Sequence, residues 1–339
     1  MSSIKPLTEQ TSMAQRPVEI SFAIACFNGL PHLRPAVQSA LSQTDIEVEV
    51  IVVDDGSSDG SIAYIRDLAL SDPRVVLLQT SFNMGPGGAR NLAIEAMKGD
   101  WLSVLDADDL IEPYRSRRLI DAAQRLDADL VADDLLVFGE HVAETRFLSG
   151  NWPISGDWMT FERYLTDSVL FGRAPNPGFL KPIFHRRLFA DPTMRYNPEL
   201  RIGEDDELVM RMLHSGARYL IVPEPGYRYR KHEASISHRL SPANCRRMVE
   251  AENALRQRFE ASGPLPRAYH KRWKALLEAQ SFVCSIEQLQ NRRFFAAAKT
   301  LLAHPSAIRL YRMPIFARFQ RLVSRLLPQK ADEIPGLAD

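Results

Sequence analysis

Three carboxylates fall within four positions at Asp106, Asp108 and Asp109, directly after the apolar stretch Trp101–Leu105. Carboxylates this crowded repel one another and resist ionisation unless positive charge sits among them. No Lys or Arg occurs between Lys98 and Arg115, so the local counter-ion to expect is a divalent cation. In Asp106-Ala107-Asp108 the middle residue is too small to block a phosphate-bound ion. The same residues also read as a solvated acidic turn in which Asp108 or Asp109 caps a following helix. A second acidic group, Gly203-Glu204-Asp205-Asp206-Glu207, opens the amphipathic run Leu208–Leu213. Asp205 reads there as a first-turn carboxylate favoured by the helix dipole.

Several elements must position these groups. Ile20–Cys26 is an apolar run ending at the turn Phe27-Asn28-Gly29, and Pro35–Gln43 then carries helical spacing. The unit recurs as Val48–Val53, ending in Asp54-Asp55-Gly56-Ser57, with a helix over Ser61–Leu70. Arg74–Gln79 makes a third strand. After Gly85-Pro86-Gly87-Gly88 a helix over Ala89–Met97 leads to the strand at Trp101. Such alternation predicts an α/β fold with a mostly parallel sheet covered on both faces, and ligands in such sheets bind beyond the carboxyl ends of the strands. Cys26–Asn28, Asp54–Gly60 and Asp106–Asp108 all stand at such ends, so one cleft should collect them.

Further along, Asp129–Asp133 reads as a strand and Val137-Phe138-Gly139 as the start of a hairpin. Residues 150–180 hold no clear period and read as an irregular loop region. Tyr219–Val222 and Tyr227–Arg230 read as two closing strands, and from Pro242 the pattern is helical, broken at Gly263-Pro264, Pro305, Pro314 and Pro328. The expected organisation is a polar, mobile tail over residues 1–17, a main domain over 18–240, a helical, basic extension over 241–330 and a tail over 331–339.

Composition bounds the class. In 339 residues, 45% hydrophobic and 25% charged content is that of an ordinary globular chain. Cys26, Cys245 and Cys284 show no paired or zinc-type spacing, which points to a reducing compartment. The first 17 residues hold no signal-like apolar core, and no run approaches the roughly 20 apolar residues a membrane span needs. A cytoplasmic protein is the expectation. Formal charge balances to zero, but residues 291–330 carry nine Lys or Arg and no Asp or Glu.

Asp54-Asp55-Gly56-Ser57-Ser58-Asp59-Gly60 is a weak signal alone. Taken with Asn83-Met84-Gly85, Gly88-Ala89-Arg90-Asn91 and Leu105-Asp106-Ala107-Asp108-Asp109, it closely resembles the inverting glycosyltransferases of family 2, which have the GT-A fold. The resemblance covers residues 18–240. It implies that Ala25-Cys26-Phe27-Asn28 lies along the nucleotide and that Asp55, or its neighbour Asp54, accepts a hydrogen bond from uracil. It further implies that Gly88 and Arg90 face the nucleotide, and that Asp106 and Asp108 form the family's metal motif for Mg or Mn, with Asp106 also on the nucleotide-sugar side. By the same resemblance Asp205 is the catalytic base, and His232, in Tyr229-Arg230-Lys231-His232, reaches the metal or the diphosphate. The other histidines, including His185, His214 and His238, read as structural. A divalent ion offsets charge on a departing nucleoside diphosphate, and a carboxylate removes the acceptor hydroxyl's proton. One base and one metal on opposite faces of the sugar imply a single displacement with inversion.

The glycine-rich segment, Gly216-Ala217-Arg218-Tyr219 and His232–Leu240 are more narrowly similar to glycosyltransferases that build succinoglycan-type bacterial exopolysaccharides. That implies a UDP-sugar donor, with glucose as the sugar, and a polyprenyl-diphosphate-linked oligosaccharide as acceptor at the inner membrane's cytoplasmic face. No Gln-x-x-Arg-Trp motif or membrane helix of the processive synthases is present, so one sugar is added per encounter. In the basic C-terminal arm, apolar residues from Ile308 to Leu327 interleave with arginines, as in a helix lying on an anionic membrane surface. A helix packed on the main domain fits the pattern equally. Nucleic acid is a poor match because no reading motif accompanies the charge. A nucleotidyltransferase and a catalytically silent scaffold of a polysaccharide-assembly complex are the rival functions. The first would want a glycine-rich loop with Lys or Arg directly after the first strand.

Overall fold

The computed structural model describes residues 17–312 apart from 31, 141, 149–156, 173 and 233–239. Its described residues divide into two units: 17–168 with 175–232, and 169–174 with 240–312.

The first unit is built on one ten-stranded sheet. β1 (Ile20–Cys26), β2 (Val48–Asp54), β3 (Val75–Gln79) and β4 (Trp101–Val104) pair in parallel in the spatial order β3-β2-β1-β4. Every residue of β2 is buried, including neighbours that point to opposite faces, so both faces of this strand are covered. α1 (Leu33–Leu41), α2 (Ser61–Ser71) and α3 (Gly85–Ala96) connect these strands, and α3 packs on β1 and β2. The order continues β4-β9-β6-β10-β5, where β9 is Ile183–His185, β6 is Leu130–Gly139, β10 is Tyr219–Lys231 and β5 is Leu110–Ile111. β9 runs antiparallel to both neighbours, which restores the direction of β6 and β10 to that of β4. The hairpin expected after Val137 is formed by β6 with β7 (Val142–Arg146).

Several expectations are corrected. Asp108 and Asp109 cap no helix: they are followed by β5, and α4 begins only at Arg115 and ends at Leu126. The described part of 150–180 holds β8 (Asp157–Met159), α5 (Phe161–Asp167) and a 3₁₀ turn at Pro177–Phe179. The two closing strands are one, β10, whose register with β6 shifts between Val222 and Tyr227. Pro223, Pro225 and Gly226 lie in that interval, where missing N–H groups and a missing side chain favour a bulge over a break.

The second unit is helical, with α7 (Pro242–Glu260), α8 (Arg267–Gln290), α9 (Phe294–Ala303) and a 3₁₀ turn over Pro305–Tyr311. Ser241 caps α7 by accepting from the Asn244 amide at 3.1 Å. Phe282, Ala307 and Leu310 form a small core with Val283, Ile286, Leu301 and Tyr311 packed against it. The expected breaks at Pro314 and Pro328 lie outside the described residues, as do the segments 1–16 and 313–339.

Candidate active site

Because β1, β2 and β4 run parallel in register, their carboxyl ends reach one rim of the sheet. The loops leaving it are laced together. The Asp55 amide donates to the Cys26 carbonyl (2.7 Å), the Asn28 amide to Ser57 Oγ (2.9 Å), and the Ser58 amide to Asn28 Oδ1 (2.8 Å). Asn28 holds φ +52°, a left-handed conformation that Asn tolerates better than most residues. Ala25 sits opposite Val53 in the ladder just inside the rim.

Asp55 is buried and shapes the next loop. Its Oδ1 accepts from Thr80 Oγ1 (2.9 Å) and the Met84 amide (2.8 Å), and its Oδ2 from the Gly85 amide (2.7 Å). Asp54 is buried too. Its Oδ2 accepts from the Ser57 amide (3.1 Å), while its Oδ1 has no hydrogen-bond partner among the described residues. Of the two carboxylates named for the nucleotide, Asp55 is thus the scaffold of the glycine-rich loop and Asp54 carries the open acceptor atom. That loop starts α3 at Gly85, whose φ of +83° suits glycine. Gly88 is buried one turn later. A β-carbon there would come within 2.8 Å of Met84 Cβ, so the residue is needed for close packing of the helix's first turn.

Arg90, on the second turn of α3, is 4% exposed, not the helical surface residue its position could suggest. Its guanidinium donates through Nη2 to Asp106 Oδ1 (2.6 Å) and through Nη1 to Glu204 Oε1 (2.8 Å) and Asp205 Oδ1 (2.9 Å). Glu204 and Asp205 occupy the first turn of α6 (Glu204–His214), which Gly203 starts at φ +83°. There the helix dipole favours their charge. On the other side stands Lys181, just before β9. Its Nζ lies 2.9 Å from Asp106 Oδ2 and 2.9 Å from Asp205 Oδ2. Asp106 and Asp205 are therefore clamped between the same two cations.

This arrangement revises the electrostatic argument made from the sequence. The positive charge beside Asp106 comes from distant residues, Arg90 and Lys181, which a search between Lys98 and Arg115 could not find. Burial raises the Asp106 pKa, but Lys181 and Arg90 outweigh it and bring it down to about 2. Burial also works against the charge on Lys181, and Asp106 and Asp205 override it, holding the ammonium well above the usual lysine range. Glu204 is pushed up by burial and by the neighbouring Asp205.

Asp108 and Asp109 face away from that clamp. Asp108 Oδ2 is 2.7 Å from His232 Nε2, and the His232 ring lies 5.4 Å from that of His32. Asp109 is buried under the turn. It accepts from Tyr227 Oη (2.9 Å) and the Arg230 amide (2.7 Å), and burial with the charges of Asp106 and Asp108 pushes its pKa up. Tyr227 Oη in turn accepts from the Asp106 amide (3.1 Å), and Arg230 Nε donates to the Asp108 carbonyl (2.7 Å). β10 thus fixes the acidic turn from below. Among the described residues no three His, Cys, Asp or Glu side chains converge on a metal position. The structure brings two of the three expected ligands together, Asp108 and His232, and engages the third, Asp106, with Arg90 and Lys181.

Lys181, Tyr196 and Tyr227 were not singled out in the sequence. Tyr196 is buried, with the Arg90 guanidinium 5.5 Å above its ring and no hydrogen-bond partner for its hydroxyl among the described residues. Neither tyrosine belongs to a motif. Lys181 stands in a Lys-Pro dipeptide before a three-residue strand, with no local acidic neighbour to signal it. His185 packs edge-on to Trp101 at 4.8 Å and His214 edge-on to Phe161 at 5.3 Å. His238 lies outside the described residues.

The chain is similar to known proteins in sequence and in fold. The family model "Glycosyl transferase family 2" matches residues 21–189. Succinoglycan biosynthesis protein ExoO of Rhizobium meliloti is 37% identical over 94% of this chain and 91% of its own length. Succinoglycan biosynthesis protein ExoU of the same organism is 29% identical over 87% and 86%. Among solved structures, S. aureus TarS residues 1–349 in complex with UDP-GlcNAc superposes with a TM-score of 0.59 at 17% identity, covering 88% of this chain and 92% of that one. Mannosyltransferase PcManGT from Pyrobaculum calidifontis, with GDP-Man and Mn2+, superposes with a TM-score of 0.53 at 15% identity, covering 90% and 81%.

Proposed function

This chain belongs to glycosyltransferase family 2 and has the GT-A fold, and we propose that it moves a hexose, glucose, from UDP with inversion onto a lipid-linked oligosaccharide in exopolysaccharide assembly. The observation that carries this reading is the clamp: Asp205, the proposed base, and Asp106, at the end of the nucleotide-side strand, are held together by Arg90 and Lys181 at the sheet rim.

The donor half rests on the loops. Ala25, Asn28, Asp54 and Asp55 line or shape the crevice beyond β1 and β2, where nucleotides bind in open α/β sheets. Asp54 Oδ1, buried and without a partner among the described residues, suits a ring N–H, and Asp55 keeps the glycine-rich loop closed beneath it. On this reading Gly88 and Arg90 face the nucleotide from α3. That other proteins of this fold were solved with UDP-GlcNAc or GDP-Man supports a nucleotide-sugar here.

The reacting half rests on the charges. As the bond to the anomeric carbon breaks, negative charge grows on the diphosphate, and Arg90 and Lys181 are buried, fixed cations placed beside it without reorganisation. Each oxygen of Asp205 accepts one charged donor, which leaves a lone pair on each to take the acceptor hydroxyl's proton. This reading gives no second carboxylate the part of a nucleophile in a double displacement: Glu204 accepts from Arg90, and Asp106 is held by Arg90 and Lys181.

Asp108 and His232, both partly exposed and 2.7 Å apart, fit a divalent ion such as Mg or Mn whose remaining positions diphosphate oxygens would fill. Such an ion would supply Lewis-acid stabilisation of the leaving group. Asp106 serves on this reading by holding Arg90 and Lys181.

A place on the cytoplasmic face of the inner membrane follows from a lipid-linked acceptor. No helix among the described residues is long and apolar enough to cross a membrane. The basic C-terminal arm would bring the enzyme to an anionic surface. The test is incubation with a panel of radiolabelled nucleotide sugars and membrane lipid extract, with and without EDTA. Label should pass to organic-extractable product from UDP-glucose alone, with UDP released and transfer lost in EDTA. Pyrophosphate as the released product, or no transfer from any donor, would overturn the proposal.

A further inference from the structure

α9 is amphipathic the wrong way round for a helix on a soluble surface. Its inner side, at Ala297 and Leu301, packs on the α8 and 3₁₀-turn core of Phe282, Ala307 and Leu310. The opposite side, read at i, i+3, i+4 and i+7, is Phe295, Ala298, Lys299 and Leu302. Phe295 is 95% exposed, Leu302 77%, and Phe294 at the helix start 63%. Ile308 in the following turn is 61% exposed. Scattered exposed apolar residues need no explanation, but two phenylalanines and a leucine on one short helix, with Ile308 in the turn after it, are a concentration that water penalises.

The charge around the patch says what covers it. From residue 291 to 312 there are five Lys or Arg and no Asp or Glu. Arg309 is paired with Glu278, while Arg292, Arg293 and Lys299 are exposed beside the phenylalanines. A partner that is apolar within and negative at its rim matches this, and an anionic lipid surface has that order of layers. We propose that the outward face of α9 docks on an anionic bilayer, with Phe294, Phe295 and Leu302 entering the acyl boundary and Arg292, Arg293 and Lys299 meeting lipid phosphates. This deepens the membrane reading given above by placing the contact on α9 instead of on the arm beyond Ile308, and it is independent of the sugar chemistry.

The experiment uses the full-length chain. Phe295→Trp places a reporter on the patch, read as a difference from the unsubstituted protein with vesicles containing phosphatidylglycerol or phosphatidylcholine alone. The added emission should move to the blue with the anionic vesicles and be quenched by brominated acyl chains, with both effects weakened in high salt. Phe295→Ser with Leu302→Ser should weaken sedimentation with anionic vesicles by about tenfold or more while leaving melting temperature and transfer to a soluble acceptor unchanged. Four results would overturn the inference. The first is a reporter emission already blue-shifted without vesicles and independent of protein concentration, meaning that the patch is covered by the chain itself. The second is a blue shift that grows with protein concentration, meaning a second copy. The third is equal binding to neutral vesicles. The fourth is vesicle binding that survives the double substitution and disappears when Arg318, Arg321 and Arg325 are changed to Gln. That last result would leave the membrane reading standing and remove α9 from it.

Discussion

Lys181 Nζ stands 2.9 Å from Asp106 Oδ2 and 2.9 Å from Asp205 Oδ2, so one ammonium ties the turn after β4 to the first turn of α6, far along the chain. Arg90 repeats the tie through the other oxygen of each carboxylate. Removing either cation leaves partly buried negative charge short of a partner, which costs more than the pair contributes.

Lys181→Met should therefore lower stability by roughly 3 kcal/mol and reduce kcat strongly. Lys181→Arg keeps the charge but cannot place one donor atom between two carboxylates, and should recover stability more than kcat. Chemical denaturation and steady-state kinetics on the two variants check this. Equal loss of kcat and stability, fully rescued by arginine, would mean that the residue only props the fold.

Asp106 gives the clamp a signature in acid. Its folded pKa of about 2 lies below the ordinary value of 3.8. A depressed carboxylate contributes stability that is whole above the unfolded pKa and is lost as pH falls through the folded one. Unfolding free energy should thus drop between about pH 4 and pH 2. Asp106→Asn, already less stable at neutral pH because Arg90 and Lys181 lose a partner, should show a shallower drop across that window by denaturant titration.

Asp55 accepts three hydrogen bonds from the loop that ends in Gly85. Asp55→Ala leaves three donors without it and should cost about 3 kcal/mol. It should also raise KM for the donor sugar more than it lowers kcat, since the loop forms a wall of the proposed nucleotide crevice. Asp54→Asn should weaken nucleotide binding with little change in melting temperature, because only the Ser57 amide depends on it.

Asp108→Ala and His232→Ala should each weaken the dependence of UDP binding on Mg or Mn, measured by titration calorimetry with and without the ion. Asp109→Asn should leave that dependence in place and lower melting temperature, because Asp109 is spent on Tyr227 and Arg230.

Much of this was legible before any coordinates. The strands Ile20–Cys26 and Val48–Val53 are legible because parallel central strands are apolar throughout, the second running one residue further, to Asp54, so that the polar segments at their ends share a rim. Asp205 and Asp106 were legible through their motifs, and the structure ties them together. Lys181 was not. It has no local pattern, and its meaning arises only when the three-residue β9 inserts antiparallel beside β4. The same non-local logic governs the charge at Asp106, whose cations are Arg90, one helix earlier, and Lys181, both outside the segment from Lys98 to Arg115. The single strand β10 was read as two because Pro223, Pro225 and Gly226 look like a terminator, whereas pairing with β6 carries the strand through as a bulge.

On the proposed function Asp205 takes the acceptor hydroxyl's proton while Arg90, Lys181 and Asp106 serve the donor. The most direct measurement is single-turnover transfer by Asp205→Asn beside its UDP affinity. The account predicts UDP binding within a few-fold of the unsubstituted enzyme and transfer reduced by about a thousandfold or more. Transfer at the unsubstituted rate would contradict it.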